Sequence, residues 1–67
     1  MASSPQQLQL FLRLPAVLQK VGMSKSFVYD LITQDKFPKP VKVSSRISCW
    51  VAAEVDQWVQ ERIDARD

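Results

Sequence analysis

The apolar residues of this sequence recur at helical spacing in three separate stretches. In the first stretch they follow i, i+3, i+4 and i+7: Leu14, Val17, Leu18 and Val21. Such a stripe predicts an amphipathic helix, and Pro15 fits its first position, where a missing N–H costs nothing. Gly22 follows the last apolar residue, at the point where helices commonly end on a left-handed residue.

A second helix is predicted to begin after Ser24, whose hydroxyl can accept a hydrogen bond from the first turn. It has a narrow apolar stripe, formed by Val28, Leu31 and Ile32. It should end near Gln34 or Asp35, because Pro38 and Pro40 follow and neither can donate a helical hydrogen bond. Two helices joined by a short turn that contains a glycine predict a helix-turn-helix.

The next stretch alternates apolar and polar residues, which is typical of half-buried strands. Residues 41–43 are predicted to form one strand and residues 46–50 the return strand, with Ser44 and Ser45 as the tight turn between them. These strands would form a β-hairpin. Near the start of the chain, residues 10–13 could form a short strand or an extended lead-in.

A third helix is predicted from apolar residues at i, i+4, i+7, i+8 and i+12: Val51, Val55, Trp58, Val59 and Ile63. Trp58 is expected to be the large anchor of its buried face. Acidic residues in the first turns and Arg62 and Arg66 in the last suit the helix dipole. In so small a domain, Phe37, Trp50 and Trp58 are expected to belong to the core rather than to stack on nucleobases.

Together these elements predict one α+β domain over residues 10–67, a small winged helix-turn-helix of about three helices plus a β-hairpin wing. Residues 1–9 are polar and are predicted to be a flexible N-terminal tail. The sequence has 67 residues. A chain of this length buries only roughly 60% of its unfolded surface, so its free energy of unfolding should be a few kcal/mol.

The reactive residues argue against an enzyme. The sequence has no histidine, one cysteine and one glycine, so it lacks zinc-site spacings, the usual general base and a glycine-rich phosphate loop. We expect no cofactor, no metal and no small-molecule ligand, and we expect Cys49 to be a buried small hydrophobe. No apolar run approaches the roughly 20 residues of a membrane span. The lone cysteine and the lack of a signal peptide indicate the cytoplasm.

Charge is distributed unevenly along the chain. Residues 1–46 contain seven lysines and arginines against two aspartates, a formal charge of +5. Residues 47–67 contain two arginines against five carboxylates, a formal charge of −3. A basic front and an acidic end suit a module that meets a polyanion with one face. Scattered lysines on an ordinary solvated surface would give the same counts, so charge leaves both interpretations open.

The candidate site combines the outward side of the second helix with the hairpin turn: Lys25, Ser26, Tyr29, Thr33, Lys42, Ser44, Ser45 and Arg46. A helix that presents a lysine, hydroxyl groups and a phenol on its outward side can enter the DNA major groove. There Lys25 would meet phosphate or a guanine edge, and Ser26 and Thr33 could donate to phosphates or bases. Tyr29 could reach a phosphate or instead cover the edge of the core.

The basic hairpin tip could follow the DNA backbone or enter the minor groove, where arginine favours a narrow groove. The alternative is an ordinary solvated turn. Asp30 lies on the exposed side of the second helix and would repel phosphates. It could accept from a cytosine amino group, pair with a lysine, or lie outside the contact area.

In this order and spacing, three segments resemble the AlpA-type regulators over residues 11–63: FLRLPAVLQKVGMSKSFVYDLI, DKFPKPVKV and RISCWVAAEVDQWVQERI. That family comprises short proteins of phages and genomic islands in the MerR-like winged-helix superfamily, which includes many excisionases. The resemblance implies sequence-specific binding of double-stranded DNA. It places Lys25, Ser26 and Tyr29 on the recognition helix and the basic residues of the hairpin on the wing. Asp30 departs from the basic residue that is usual at its position.

The resemblance also implies a role as an excisionase (recombination directionality factor), as a transcriptional regulator, or as both, in the bacterial cytoplasm at the nucleoid. Besides duplex DNA, the implied partners are an integrase and neighbouring copies of the same protein on DNA. The alternative from another class is an antirepressor-like protein-interaction module that docks on another regulator through its acidic last helix.

Overall fold

The computed structural model describes residues 10–66, which form three helices and three short strands. The predicted tail, residues 1–9, and Asp67 lie outside the described residues. The order is β1 (Phe11–Leu12), α1 (Leu14–Val21), α2 (Lys25–Thr33), β2 (Val41–Lys42), β3 (Ser48–Val51) and α3 (Ala52–Asp64). This arrangement confirms the predicted α+β architecture and is compatible with a small winged helix-turn-helix.

The predicted turn between α1 and α2 is confirmed in detail. Gly22 has a φ of 70°, in the left-handed region, and its N–H donates to the carbonyl of Leu18 at 2.8 Å. The Ser24 hydroxyl then accepts from the N–H of Phe27 at 3.3 Å and caps α2. Glycine adopts this φ without the steric cost that a Cβ brings, so Gly22 can end α1 and start the short turn that leads to α2.

The second helix ends at Thr33, close to the end that was predicted from the prolines that follow it. Gln34 is its C-cap residue, and Asp35 follows with a φ of 63°. Asp35 is the one non-glycine residue with a positive φ among residues 10–66. Aspartate tolerates this region better than most residues because its short polar side chain can hydrogen-bond locally.

The sheet is antiparallel, with the strand order β1-β3-β2. Residues 10–13 therefore contribute a strand, which settles the open alternative. Leu12 pairs with Trp50, and both belong to the core cluster. Because successive strand residues point to opposite faces, the pair of Val41 and Cys49 lies on the other face of the sheet.

A single cluster of buried side chains joins the sheet to the helices: Leu12, Val17, Val28, Phe37, Trp50 and Val55. Trp50 and one valine from each helix are almost fully buried. The Trp50 indole N–H donates to the carbonyl of Pro38 at 3.0 Å, so the largest core side chain has its polar atom satisfied. Cys49 is also buried, as predicted.

The third helix departs from its predicted packing in two places. Val55, not Trp58, is its fully buried residue, and Trp58 is half-buried at the edge of the core. Its indole N–H donates to the carbonyl of Lys36 at 2.8 Å. Ile63 was predicted on the buried face but is 42% exposed, because α3 extends past the small core and no other element within residues 10–66 covers its last turns.

The hairpin also differs from its prediction. Val41 and Val43 are 40% and 52% exposed rather than half-buried, because β2 is an edge strand and these residues point away from the core. The return strand begins at Ser48 instead of Arg46. None of the helices within residues 10–66 is long and apolar enough to cross a membrane.

Candidate nucleic-acid interface

The core fixes which side of α2 faces outward. Val28 is fully buried, and Leu31 and Ile32 pack against the core cluster. The ring of Tyr29 meets that of Trp50 edge to face, with the ring centroids 6.2 Å apart. The apolar stripe predicted from the sequence is thus confirmed. Tyr29 does cover the core edge, yet 38% of it stays exposed, so its two predicted roles are compatible.

The outward side of α2 forms a shallow, open depression lined by six residues: Ser24, Ser26, Phe27, Tyr29, Asp30 and Thr33. Three predicted site residues, Ser26, Tyr29 and Thr33, are therefore brought together on one surface. Lys25 is exposed at the first position of the helix, beside this depression rather than in its lining. We call this depression together with Lys25 the reading face.

Two polar groups of the reading face are already engaged. The Thr33 hydroxyl donates back to the carbonyl of Asp30 at 2.7 Å and lies 3.3 Å from that of Tyr29. Its proton is used inside the helix, which is common for threonine in helices. The Asp30 carboxylate accepts from the Gln34 amide at 3.2 Å. Asp30 has no lysine partner within residues 10–66, and it lies among the predicted site residues.

The hairpin turn lies one residue later than predicted. The N–H of Ile47 donates to the carbonyl of Ser44 at 3.4 Å, and the N–H of Val43 donates to the carbonyl of Ile47 at 2.9 Å. Ser45 and Arg46 are therefore the central residues of the turn. The prediction of Ser44 and Ser45 was wrong because the Ser44 hydroxyl accepts from the N–H of Arg46 at 3.3 Å and closes the turn from its first position.

All four predicted wing residues, Lys42, Ser44, Ser45 and Arg46, are exposed on this hairpin. Lys42 ends β2 opposite Ser48, and Arg46 lies at the tip. The predicted site thus falls into two separate pieces of chain, the reading face and the wing.

Each of these two pieces carries a cation outside any salt bridge within residues 10–66, as do other parts of the chain at Arg13, Lys36, Arg62 and Arg66. Over the part of the chain that the structure describes, salt bridges join Lys20 to Asp56 at 2.8 Å and Lys39 to Asp35 at 3.3 Å. Lys25, Lys42 and Arg46 take part in no salt bridge with residues 10–66. Their charges are therefore free to meet an external anion, whereas two other lysines are partly neutralised.

Sequence reasoning missed one residue of the reading face, Phe27. This side chain is 51% exposed although it is large and apolar. The signal was present in the sequence, because Phe27 falls outside the apolar stripe of its own helix. Sequence reasoning also did not predict that Asp30 would line the same depression as Ser26, Tyr29 and Thr33.

The geometry defines a class of protein: a small helix-turn-helix module with a hairpin wing, in which the second helix and the wing each carry cations free of salt bridges within residues 10–66. A model of the prophage CP4-57 regulatory protein (AlpA) family matches residues 10–63, and the chain belongs to that family.

Two proteins are similar to this chain in sequence. The chain is 38% identical over 56 residues to the uncharacterized protein ORF88 of Enterobacteria phage P4, covering 84% of this chain and 64% of that protein. It is 37% identical over 57 residues to the DNA-binding transcriptional activator AlpA of Escherichia coli K12, covering 76% of this chain and 81% of the activator. The chain thus spans less than two thirds of the phage P4 protein's length.

Proposed function

We propose that this protein is a sequence-specific binder of double-stranded DNA that regulates a phage or genomic island from the bacterial cytoplasm. The observation that carries the proposal is the capped helix α2, whose buried Val28 turns a polar side and a free lysine outward. The E. coli relative is a DNA-binding transcriptional activator, which supports the same function here.

In the proposed complex, α2 lies in the major groove with its first residues at the base edges, as recognition helices do. Lys25 contacts a guanine edge or a phosphate, and Ser26 and Tyr29 contact bases or the adjoining phosphates. Thr33 contributes its lone pairs and methyl group, because its proton is already donated within the helix. Asp30 accepts from a base amino group or receives no DNA contact.

The wing is proposed to contact the DNA backbone. Lys42 and Arg46 neutralise phosphates, and the hydroxyls of Ser44 and Ser45 can add hydrogen bonds to them. Each phosphate neutralised releases counterions. For each such phosphate, the logarithm of the binding constant should fall by about 0.9 per tenfold increase in salt concentration. The protein needs no cofactor for this function and carries out no chemistry on the DNA.

The test is selection of duplexes from a random library, followed by titration at several salt concentrations. We expect tighter binding to the selected duplex than to random DNA, and a steep loss of affinity with salt. The double variant Lys42→Ala with Arg46→Ala should have a shallower salt dependence. Lys39→Ala is the matched control, since Lys39 is paired with Asp35 at 3.3 Å. Absence of duplex binding at low salt would refute the proposal.

Within this function we propose that the protein acts as an excisionase, as a transcriptional regulator, or as both, with an integrase or neighbouring copies of itself as partners on DNA. An excisionase works by shaping DNA so that distant sites meet. Circularly permuted fragments that contain the selected site would measure the bend. A strong bend favours excision, whereas a straight complex that activates a promoter reporter favours transcriptional regulation alone.

A groove on another side of the molecule favours a second candidate, an antirepressor-like interaction module. It lies between residues 35–38 and α3 and is lined partly by Glu54, Trp58 and Glu61. The Arg62 guanidinium covers the Trp58 ring, 5.4 Å from its centroid. This candidate would be favoured over DNA binding by two results together. The protein would bind another regulator but not duplex DNA, and Trp58→Ala would abolish the binding to the regulator.

A further inference from the structure

Phe27 places a phenyl ring in water at the third position of α2. It is 51% exposed, and it lies outside the core cluster. Two aromatic pairs are formed within residues 10–66, Tyr29 with Trp50 and Phe37 with Trp58, and Phe27 belongs to neither. About half of this residue therefore remains in water in the fold, and a partner that covered it would remove that apolar surface from water.

The surroundings of Phe27 indicate which part of the DNA it would face. The Asp30 carboxylate lines the same depression one turn further along the helix. A carboxylate repels phosphates, so this part of the reading face is unsuited to the DNA backbone and suited to the base edges. Thr33, on the same surface, has already donated its proton within the helix, which leaves few donors there.

The major groove offers one apolar group to such a surface, the C5-methyl group of thymine. We propose that Phe27 is a specificity-determining residue that packs on a thymine methyl group when α2 lies in the major groove. This inference rests on the proposed function, and it adds that the recognised duplex contains a thymine whose methyl group is read by Phe27.

The test removes the methyl group from the DNA and the ring from the protein. Each thymine of the selected duplex is replaced in turn by deoxyuridine, which keeps the hydrogen-bonding groups and lacks the methyl. At one position we expect wild-type affinity to fall about fourfold, as one buried methyl group predicts. The same replacement should leave the affinity of Phe27→Ala unchanged.

Phe11→Ala is the matched protein control, because Phe11 is also an exposed phenylalanine but lies on β1. It should respond to deoxyuridine as the wild type does. Thermal unfolding of each variant establishes that it is folded, and Phe27→Leu, which keeps an apolar side chain, should retain part of the methyl dependence.

Three results would overturn the inference: a selected duplex without thymine, a wild type indifferent to deoxyuridine at every position, or an equal loss in Phe27→Ala. In all three cases duplex binding and its salt dependence remain, so the proposed function stands. If the wild type binds no duplex, the proposed function fails and this inference fails with it.

Discussion

The reading face and the wing each carry a lysine that takes part in no salt bridge within residues 10–66, but the two pieces are attached to the molecule in different ways. Helix α2 is capped by Ser24, its Val28 is fully buried in the core, and its Tyr29 ring packs edge to face on Trp50. The wing rests on a two-residue edge strand and a turn closed by backbone hydrogen bonds, and Val43 at its base is exposed.

This difference matches the two tasks proposed for these pieces. Reading a base requires side chains held within a fraction of an ångström by a rigid element with packed support. Neutralising a phosphate carries no sequence information and depends mainly on charge. Helix α2 thus has a fully buried side chain beneath it, whereas residues 41–46 of the hairpin are all exposed.

The largest effect should come from truncating the same residue type in the two pieces. Val28→Ala removes two buried carbon atoms and leaves a cavity, so we expect a loss of about 3 kcal/mol in the free energy of unfolding. Val43→Ala, on the exposed wing, should change it by less than about 0.5 kcal/mol. Urea unfolding measures the wild type and Val43→Ala, and far-UV circular dichroism without urea shows how much of Val28→Ala is still folded, because its loss approaches the whole free energy of unfolding of so small a domain. Equal losses would show that the wing is as firmly packed as the helix.

A smaller effect is expected from the two free lysines. Lys25→Ala should weaken binding to the selected duplex by roughly 1–3 kcal/mol, if Lys25 reads a guanine, and weaken binding to random duplex by less. Lys42→Ala should weaken both by similar amounts, because a phosphate contact does not depend on sequence. Parallel titrations separate the two cases. Equal losses in Lys25→Ala would assign Lys25 to phosphate instead.

The smallest effect should distinguish two serines. Ser24→Ala removes the cap of α2 and should lower the free energy of unfolding by about 1 kcal/mol. It should also lower the preference for the selected duplex, because the helix start carries Lys25 and Ser26. Ser45→Ala, at the wing tip, should leave thermal unfolding nearly unchanged. A Ser24→Ala protein as stable as the wild type would mean that water replaces the cap.

Much of the helix-turn-helix could be predicted from the sequence. The ends of α1 and α2 follow from local rules, because Gly22, Ser24 and the prolines act on the backbone within a few residues of themselves. The stripe through Val28 follows from helical periodicity, which the chain carries whatever surrounds it. The side of α2 that would be buried, and hence the exposure of Lys25, was set at this level.

The features that could not be predicted from the sequence depend on which surfaces the other elements of the fold cover. Periodicity marked Ile63 and Trp58 alongside Val55, but only the placement of α3 on a small core decided that Val55 alone is fully buried. Likewise, the edge position of β2 left Val41 40% exposed.

The reading face shows the same division between local and tertiary information. The amino-acid sequence by itself determined the helix that carries the face and the residues that point outward. Only the tertiary structure decided that the ring of Trp50 meets Tyr29, and that Phe27 joins neither of the aromatic pairs formed within residues 10–66. The physical reason is that caps and periodicity act along a few residues, whereas burial depends on neighbours that are distant in the chain.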